Sequence, residues 1–297
     1  APAMEQSVAY LRICAVGMVF VFGYNALSAV LRGVGDSRTP LYFLIASSLA
    51  NIVMDVVFVV CFHMGVGGVA WATFLCQGVA SVLAAWTLFR RLRGVPAPER
   101  HPLFSWRMLG RIARIAVPSI LQQSFISVGN LFIQSLVNSF GSAVVAGYSA
   151  AVKLNTFALT GFTTLGNGLS SFTAQNIGAG RPERVKQGFR AGAGMTLCVA
   201  MPLIAAFVFA GPQMVRLFLS APSADALAQG TLFLNIVAPF YVLISLKLAA
   251  DGVLRGAGCM GQFMTATFTD LILRVILAFL LAPRFGAAGI WMSWPLG

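Results

Sequence analysis

Residues 41–63 read LYFLIASSLANIVMDVVFVVCFH, a run in which Asp55 is the single acid and neither Lys nor Arg occurs. About 20 consecutive apolar residues are enough for a helix to cross the hydrocarbon core of a bilayer. Backbone polar groups must be paired inside that core, and a helix pairs them within one segment. The run therefore predicts a transmembrane helix that carries one acid deep in the membrane.

The same pattern recurs along the whole chain. Hydrophobic residues make up 58% of the 297 residues and charged residues 9%, whereas about a quarter of the residues of a soluble domain are charged. The composition excludes an ordinary soluble protein and predicts an all-α polytopic membrane protein, incomplete at both ends. The expected spans are 8–30, 41–63, 67–89, 115–138, 144–172, 193–215, 230–252 and 263–282, with a ninth beginning near Gly286.

The placement of the basic residues predicts the orientation. The net charge is +12, and fourteen of the twenty Lys and Arg residues fall in loops 31–40, 90–114 and 177–190 and at Arg255. The alternate loops hold only Arg216 and Arg284. This alternation is the positive-inside pattern of membrane proteins, so the basic loops are expected in the cytoplasm. The charge is thereby explained by a membrane location, with the lipid bilayer rather than nucleic acid as partner.

Pro96-Ala97-Pro98 and the charges around it mark a linker between two helical bundles. The predicted domains are 1–92, a cytoplasmic linker at 93–112, and 113–297. No HExxH, GxSxG or Walker sequence occurs, so we expect no enzymatic activity, no cofactor and no resident metal.

The chain also contains an internal repeat. Leu31-Arg32-Gly33-Val34-Gly35 returns as Leu254-Arg255-Gly256-Ala257-Gly258, at an offset of 223 residues. The sequence at 65–69, GVGGV, returns at 286–290 as GAAGI, at an offset of 221. Because both copies of the first motif lie in loops predicted to be cytoplasmic, the repeat is expected to be parallel, as in many transporters.

Two predicted spans carry polar stripes. Steps of three or four residues place polar side chains on one face of each helix, where lipid could not satisfy them. Hydrogen bonding between packed helices is one explanation, and a water-filled substrate cavity is the one we prefer. The candidate cavity residues are Gln123, Asn130 and Gln134 on one helix and Thr156, Thr160 and Asn167 on the next.

Asp55 is the strongest candidate for ion coupling. Acids inside spans cost about 3 kcal/mol or more on insertion scales, so they are functional candidates by default. Asn51 lies one turn earlier on the same face, and Thr73 is at a similar depth in the following helix. These oxygen ligands suit a transient Na⁺, but an acid that binds a proton fits equally well. An Asp satisfied by a neighbouring helix remains the structural alternative.

Four further ionisable residues form two pairs at helical spacing. Lys247 precedes Asp251 by four residues, and Asp270 precedes Arg274 by four. We expect mutual neutralisation on one helix face, most of all for Asp270 and Arg274. Asp251 is also a candidate residue of the substrate cavity.

Three motifs carry a family resemblance. LRGVGDSRTP at 31–40 resembles the LRGxGDxxTP loop of multidrug and toxic compound extrusion (MATE) transporters. NIVMD at 51–55 resembles the NxxxD sequence that follows that loop, and QNIGAGRPERV at 175–185 resembles the QNxGAGxxxRV stretch of the family. The resemblance covers the whole chain and suggests helices 4 to 6 of twelve in 1–92, and helices 7 to 11 with the start of 12 in 113–297.

The resemblance implies two six-helix lobes and a monomeric antiporter of the bacterial inner membrane, which exports organic cations in exchange for H⁺ or Na⁺. It implies a cation site in the N-terminal lobe, to which Asn51, Asp55 and Thr73 correspond, completed by an acid on helix 1. Some relatives use acids on helices 7 and 10 instead, but this chain has Ile126 and Ile244 there, although Asp251 could substitute.

Two other functions remain open at this stage. A flippase for lipid-linked saccharides in the same superfamily would need a cationic cavity, whereas the candidate cavity residues are mostly neutral amides and hydroxyls. A membrane scaffold without transport activity would need no deep acid, so Asp55 argues against it.

Overall fold

The computed structural model describes residues 2–94, 104–219 and 223–296, and every described regular element is helical. Contacts divide the chain into two compact units, Ala1–Leu103 and Phe104–Gly297. Part of the predicted linker, 95–103, lies outside the described residues. The end of that linker, residues 106–112, forms the first turns of a helix. Ser105 caps that helix by accepting a hydrogen bond at Oγ from the N–H of Met108.

Within the part of unit 1 that the structure describes there are three long α-helices. They are α1 (Pro2–Gly33), α2 (Arg38–Val56) and α3 (Gly65–Leu92), and α3 packs against both of the others. A π-helical turn, Val57–Cys61, continues α2 directly. Gly23 allows close packing of α1 on α3, because a Cβ there would lie 2.8 Å from Ser81 Oγ.

The described residues of unit 2 form seven α-helices. They are α4 (Trp106–Asn138), α5 (Ser142–Gly178), α6 (Pro182–Leu217), α7 (Ala224–Val237), α8 (Tyr241–Gly256), α9 (Met260–Phe285) and α10 (Ala287–Leu296). A short 3-10 turn, Ala238–Phe240, separates α7 from α8 within the predicted span 230–252. Pro239 explains this break, since proline lacks an N–H and its ring clashes with the preceding turn.

Seven helical segments in the described part of the chain are long and apolar enough to cross a membrane. The predicted span 144–172 is not among them, although it lies in α5, which is 37 residues long. Helix α5 packs against α6, α7 and α8, so much of its surface faces protein rather than lipid. The polar side chains that lower its hydropathy lie on its remaining, exposed face, which includes Thr156, Thr160 and Asn167.

The two copies of the repeat share one backbone conformation. In the first copy the N–H of Asp36 donates to the carbonyl of Leu31 at 2.9 Å, and Gly35 has a φ of +89°. In the second copy Cys259 donates to Leu254 at 2.9 Å, and Gly258 has a φ of +74°. This is the Schellman pattern of helix termination, in which glycine takes the left-handed position.

Candidate functional site

Asp55 lies at the end of α2, directly before the π-helical turn Val57–Cys61. Single π-helical turns inside longer helices occur often at functional sites, because they redirect the side chains around them. No signal in the sequence predicted this turn.

The structure brings the other two predicted cation-site residues together. Asn51 on α2 donates through Nδ2 to Thr73 Oγ1 on α3 at 3.4 Å. The Thr73 hydroxyl donates in turn to the carbonyl of Val69 at 3.0 Å. The Asn51 amide oxygen and the second lone pair of Thr73 Oγ1 therefore remain available for a cation.

The Asp55 carboxylate is half-buried, and its Oδ1 is fully buried with no hydrogen-bond partner among the described residues. Within the same residues it forms no ion pair. A buried carboxylate oxygen without a donor is costly when ionised, so binding of a cation or a proton would stabilise it.

In unit 2 the candidate cavity residues lie on the surface of the unit. Five of the six are exposed and Gln134, which donates through Nε2 to Asn138 Oδ1 at 2.9 Å, is half-buried. The hydroxyls of α5 are satisfied locally, since Thr160 donates to the carbonyl of Thr156 at 2.7 Å. Each stripe thus forms one exposed polar face, as the helical spacing predicted.

A basic residue that the sequence analysis did not assign to this face contacts it. Arg255 on α8 donates through Nη2 to Asn167 Oδ1 on α5 at 3.0 Å. The approach is possible because Gly252 and Gly166 pack backbone to backbone one turn away. A Cβ on Gly252 would lie 2.2 Å from the carbonyl oxygen of Gly166.

Asp251 is buried within unit 2 rather than exposed beside the stripes, with 7% of its surface accessible. The charges that act on it come from Lys247 and Arg255 on its own helix and from Asp270 on α9. Two of these three charges are positive, whereas Asp55 forms no ion pair in the described structure.

The predicted neutralisation within single helices is wrong. Lys247 of α8 forms its ion pair with Asp270 of α9, and neither Lys247–Asp251 nor Asp270–Arg274 is an ion pair in the described structure. Arg274 instead lies over the Trp294 ring, 5.1 Å from its centroid. The packing of α9 against α8 brings the Asp270 carboxylate closer to Lys247 than the carboxylate of Asp251, which is on the same helix as Lys247.

Asp36, in the loop before α2, forms an ion pair within unit 1. Its Oδ1 accepts a hydrogen bond from the N–H of Thr39 at 3.1 Å, and its Oδ2 lies 2.7 Å from Arg91 Nη2. These interactions lower the pKa of the Asp36 carboxyl, chiefly through the hydrogen bonds from Thr39 and further through the charge of Arg91. Asp36 thus stabilises the start of α2 and links it to the end of α3.

With this geometry established, comparison with known proteins identifies the family. The sequence model of the MatE family matches residues 1–57 and 118–280. The chain belongs to the MatE family.

Other members of the MatE family show similarity over most of this chain. It is 33% identical over 285 residues to the probable multidrug resistance protein YpnP of Bacillus subtilis, which covers 96% of the chain and 63% of the relative. It is 29% identical over 166 residues to an FAD transporter of Shewanella oneidensis, covering 53% of the chain and 36% of the relative. The chain therefore spans less than two thirds of these relatives.

A solved structure confirms the fold predicted for this MatE member. The chain matches an outward-facing multidrug resistance MATE family transporter of the MOP superfamily with a TM-score of 0.90 at 24% identity, covering 99% of this chain and 66% of that one. The expected all-α MATE-type fold of a multi-pass membrane protein is thus confirmed. The names of the relatives agree with a transporter rather than an enzyme.

Proposed function

We propose that this chain forms part of a secondary active efflux antiporter, which exports organic cations in exchange for H⁺ or Na⁺. Membership of the MatE family and the name of the Bacillus relative support multidrug export. The coupling reaction needs a group whose charge changes during the cycle, and Asp55 meets that requirement.

One observation carries the proposal, namely the buried Oδ1 of Asp55 that has no hydrogen-bond partner within the described residues. Its neighbours Asn51 and Thr73 offer neutral oxygen atoms and no positive charge. A carboxylate in this setting gains more from a mobile cation than one already paired with Lys or Arg. Alternating access requires that cation binding and substrate binding favour different conformations, and a site with exchangeable ligands can supply this difference.

The polar stripes of α4 and α5 support a substrate route in unit 2. Their side chains are exposed on the unit, so the cavity needs a further wall beyond these two helices. Water or substrate there would satisfy the amides that lipid could not. Asp251, being buried, would influence such a substrate through charge rather than through direct contact.

A second candidate, a flippase for lipid-linked saccharides, is favoured by the contact of Arg255 with Asn167. This contact places a guanidinium beside the stripe and makes that face less neutral than the sequence implied. The FAD transporter among the relatives also has a substrate with phosphate groups. An anionic substrate is therefore the alternative that the transport assay must include.

The test uses the protein as its natural gene encodes it, reconstituted in proteoliposomes with ethidium, norfloxacin or an anionic lipid-linked saccharide. We expect Asp55→Asn to reduce ion-driven ethidium efflux at least about tenfold, which is within the range expected when the coupling free energy between two sites is lost. The amount of the variant that inserts into the membrane should equal that of the wild-type protein. Imposing a proton gradient and a sodium gradient separately identifies the coupling ion.

Asp225→Asn is the matched control, because Asp225 is an exposed acid of the first turn of α7. Asn51→Ala and Thr73→Ala should weaken coupling less, since each removes one neutral ligand. Wild-type efflux by Asp55→Asn under both gradients would contradict the proposed coupling site. Transport of the saccharide alone would favour the flippase.

A further inference from the structure

A groove lies between α5 and α6, near the loop that joins them. Its volume is about 470 Å³. The α5 wall and the α6 wall each repeat at three- and four-residue steps, so each is one helix face. The residues that line the groove are Thr164, Leu165, Gly168, Leu169, Phe172, Arg184, Gln187, Gly188, Ala191, Gly192 and Met195.

Glycine shapes this groove in two ways. Gly188 and Gly192 let α6 lie close to α5, because a Cβ at these positions would approach Phe172 to 2.2 Å and Leu169 to 2.6 Å. Gly168 is different, since a Cβ there would meet nothing within 4 Å. The space above Gly168 is therefore open and belongs to the groove.

The groove is polar at one end. Its interior is apolar apart from the Thr164 hydroxyl, which already donates to the carbonyl of Thr160 at 2.7 Å. Arg184 and Gln187 lie at the end close to the α5–α6 loop, and Arg184 forms no ion pair with any described residue. The nearby Glu183 is paired with Lys186, with 3.6 Å between Oε1 and Nζ.

The surrounding surface strengthens this positive end. Arg181, Arg184, Lys186 and Arg190 are all exposed, and their loop is the one that the charge distribution predicts to be cytoplasmic. The cytoplasmic leaflet carries the anionic lipids that attract basic segments at the membrane surface. Arg184 is also in the first turn of α6, where the helix dipole favours a negative group.

The length of the groove matches one leaflet. From Arg184 to Met195 the α6 wall extends about 16 Å at 1.5 Å per residue. Half of a hydrocarbon core of about 30 Å is nearly the same distance. An apolar chain that starts at Arg184 would therefore end near the middle of the membrane.

We infer that the α5–α6 groove is a binding site for an anionic phospholipid of the cytoplasmic leaflet. One acyl chain lies along the open surface at Gly168, and the phosphate contacts Arg184 and Gln187. The apolar interior fits a hydrocarbon chain, and the unpaired guanidinium fits a phosphate, for which arginine has matching geometry. This site does not depend on the proposed coupling mechanism.

Native mass spectrometry tests the site on the purified protein as its natural gene encodes it. The probes are dioleoyl phosphatidylglycerol, dioleoyl phosphatidylcholine and inorganic phosphate. We expect phosphatidylglycerol to bind at least about fivefold more tightly than phosphatidylcholine, the preference that one basic residue at an anionic surface supports. Phosphate should not compete at lipid-saturating concentrations, because it lacks the acyl chain.

Two variants should remove that preference. Gly168→Phe fills the groove without meeting a neighbouring atom at Cβ, and Arg184→Gln removes the charge at the groove's end. The matched controls are Gly194→Phe, at another exposed glycine with nothing within 4 Å, and Lys186→Gln, at a basic residue already paired. Both controls should retain wild-type binding.

The proposal is overturned if Gly168→Phe and Gly194→Phe bind phosphatidylglycerol equally, which would indicate an ordinary annular lipid. It is equally overturned if the wild-type protein binds both lipids alike, or if inorganic phosphate displaces the lipid and the site serves a free anion. Circular dichroism and size-exclusion profiles confirm that each variant is folded. If the phenylalanine at position 168 alters helix packing, Arg184→Gln still tests the site independently, because Arg184 is exposed.

Discussion

Each unit contains a carboxylate inside its helices, and the two environments differ in charge. Asp55 of unit 1 has an unpaired buried oxygen among the described residues, with an amide and a hydroxyl close by. Asp270 of unit 2 forms an ion pair with Lys247. The positive charges of Lys247 and Arg255 also act on the Asp251 carboxylate. An acid whose partner is a fixed side chain is already compensated, whereas the buried oxygen of Asp55 has no such partner among the described residues.

The repeat sharpens this difference. The helix-ending turns at Gly35 and Gly258 have the same hydrogen bonds and the same left-handed glycine. Yet the residue after the glycine is Asp36 in one copy and Cys259 in the other, and Cys259 forms no side-chain cap on α9. The two copies therefore share the backbone geometry of the turn although only the first has a charged residue after the glycine. The turn depends on the glycine and not on the next side chain.

The largest expected effect comes from giving Asp55 a fixed partner. Asn51→Lys places a lysine four residues before Asp55 on the same helix face, where its positive charge lies close to the carboxylate. We expect ion-driven efflux to fall at least about tenfold, because a fixed positive charge removes the gain from binding a cation. Efflux in proteoliposomes under imposed ion gradients measures the change.

Asn51→Gln is the control for this substitution, since it lengthens the side chain but keeps it neutral. Efflux by the glutamine variant should stay close to the wild-type rate. Equal loss in both variants would show that size at position 51 matters and charge does not, which would contradict the comparison drawn between Asp55 and Asp270.

Local features of both environments could be predicted from the sequence. Apolar length and charge spacing indicated most of the helices, and the short connection at 62–64 placed Thr73 at the depth of Asn51, which it contacts. The stripes of α4 and α5 followed from helical periodicity alone. These features depend on residues that are close in sequence, or on helices joined by a tight turn.

Features that depend on how separate helices meet could not be predicted. The Arg255–Asn167 contact joins residues 88 apart in sequence and follows from the packing of Gly166 on Gly252. The choice of Asp270 rather than Asp251 as partner of Lys247 depends on the crossing of α8 and α9. The π-helical turn after Asp55 likewise has no composition signal.

A smaller effect is expected from breaking the pair in unit 2. Lys247→Met leaves Asp270 without its partner, and these side chains are 38% and 23% exposed. We expect a loss of about 1–3 kcal/mol in the free energy of unfolding, below the value for a fully buried pair because solvent screens the charge. Unfolding in detergent micelles, followed by circular dichroism, provides the measurement.

The double variant Lys247→Met with Asp270→Asn should recover most of this loss, because no unpaired charge remains. Lys186→Met is the control, since the Lys186–Glu183 pair is 75% and 78% exposed. Its change should be within about 0.5 kcal/mol. If Lys247→Met cost no more than the control, the ion pair would contribute little and the two acids would differ less than the structure indicates.

The smallest expected effect concerns Asp36, the acid that the second copy of the repeat lacks. Asp36→Asn keeps an oxygen that can accept from the N–H of Thr39 but loses the ion pair with Arg91, whose side chain is 55% exposed. We expect a cost of about 0.2–1 kcal/mol at neutral pH. Cys259→Ala, at the equivalent position of the other copy, should change stability less, because Cys259 forms no side-chain cap.

The pH dependence identifies the charge as the cause. Because folding lowers the pKa of Asp36, its contribution is fully present above the ordinary carboxyl value of about 3.9 and is lost as the pH falls through the lower folded value. The stability difference between the wild-type protein and Asp36→Asn should therefore shrink towards zero in strong acid. Thermal unfolding between neutral and acidic pH measures it, and a difference independent of pH would assign the effect to packing of the loop. In that case the acid would not be what distinguishes the first copy of the turn from the second.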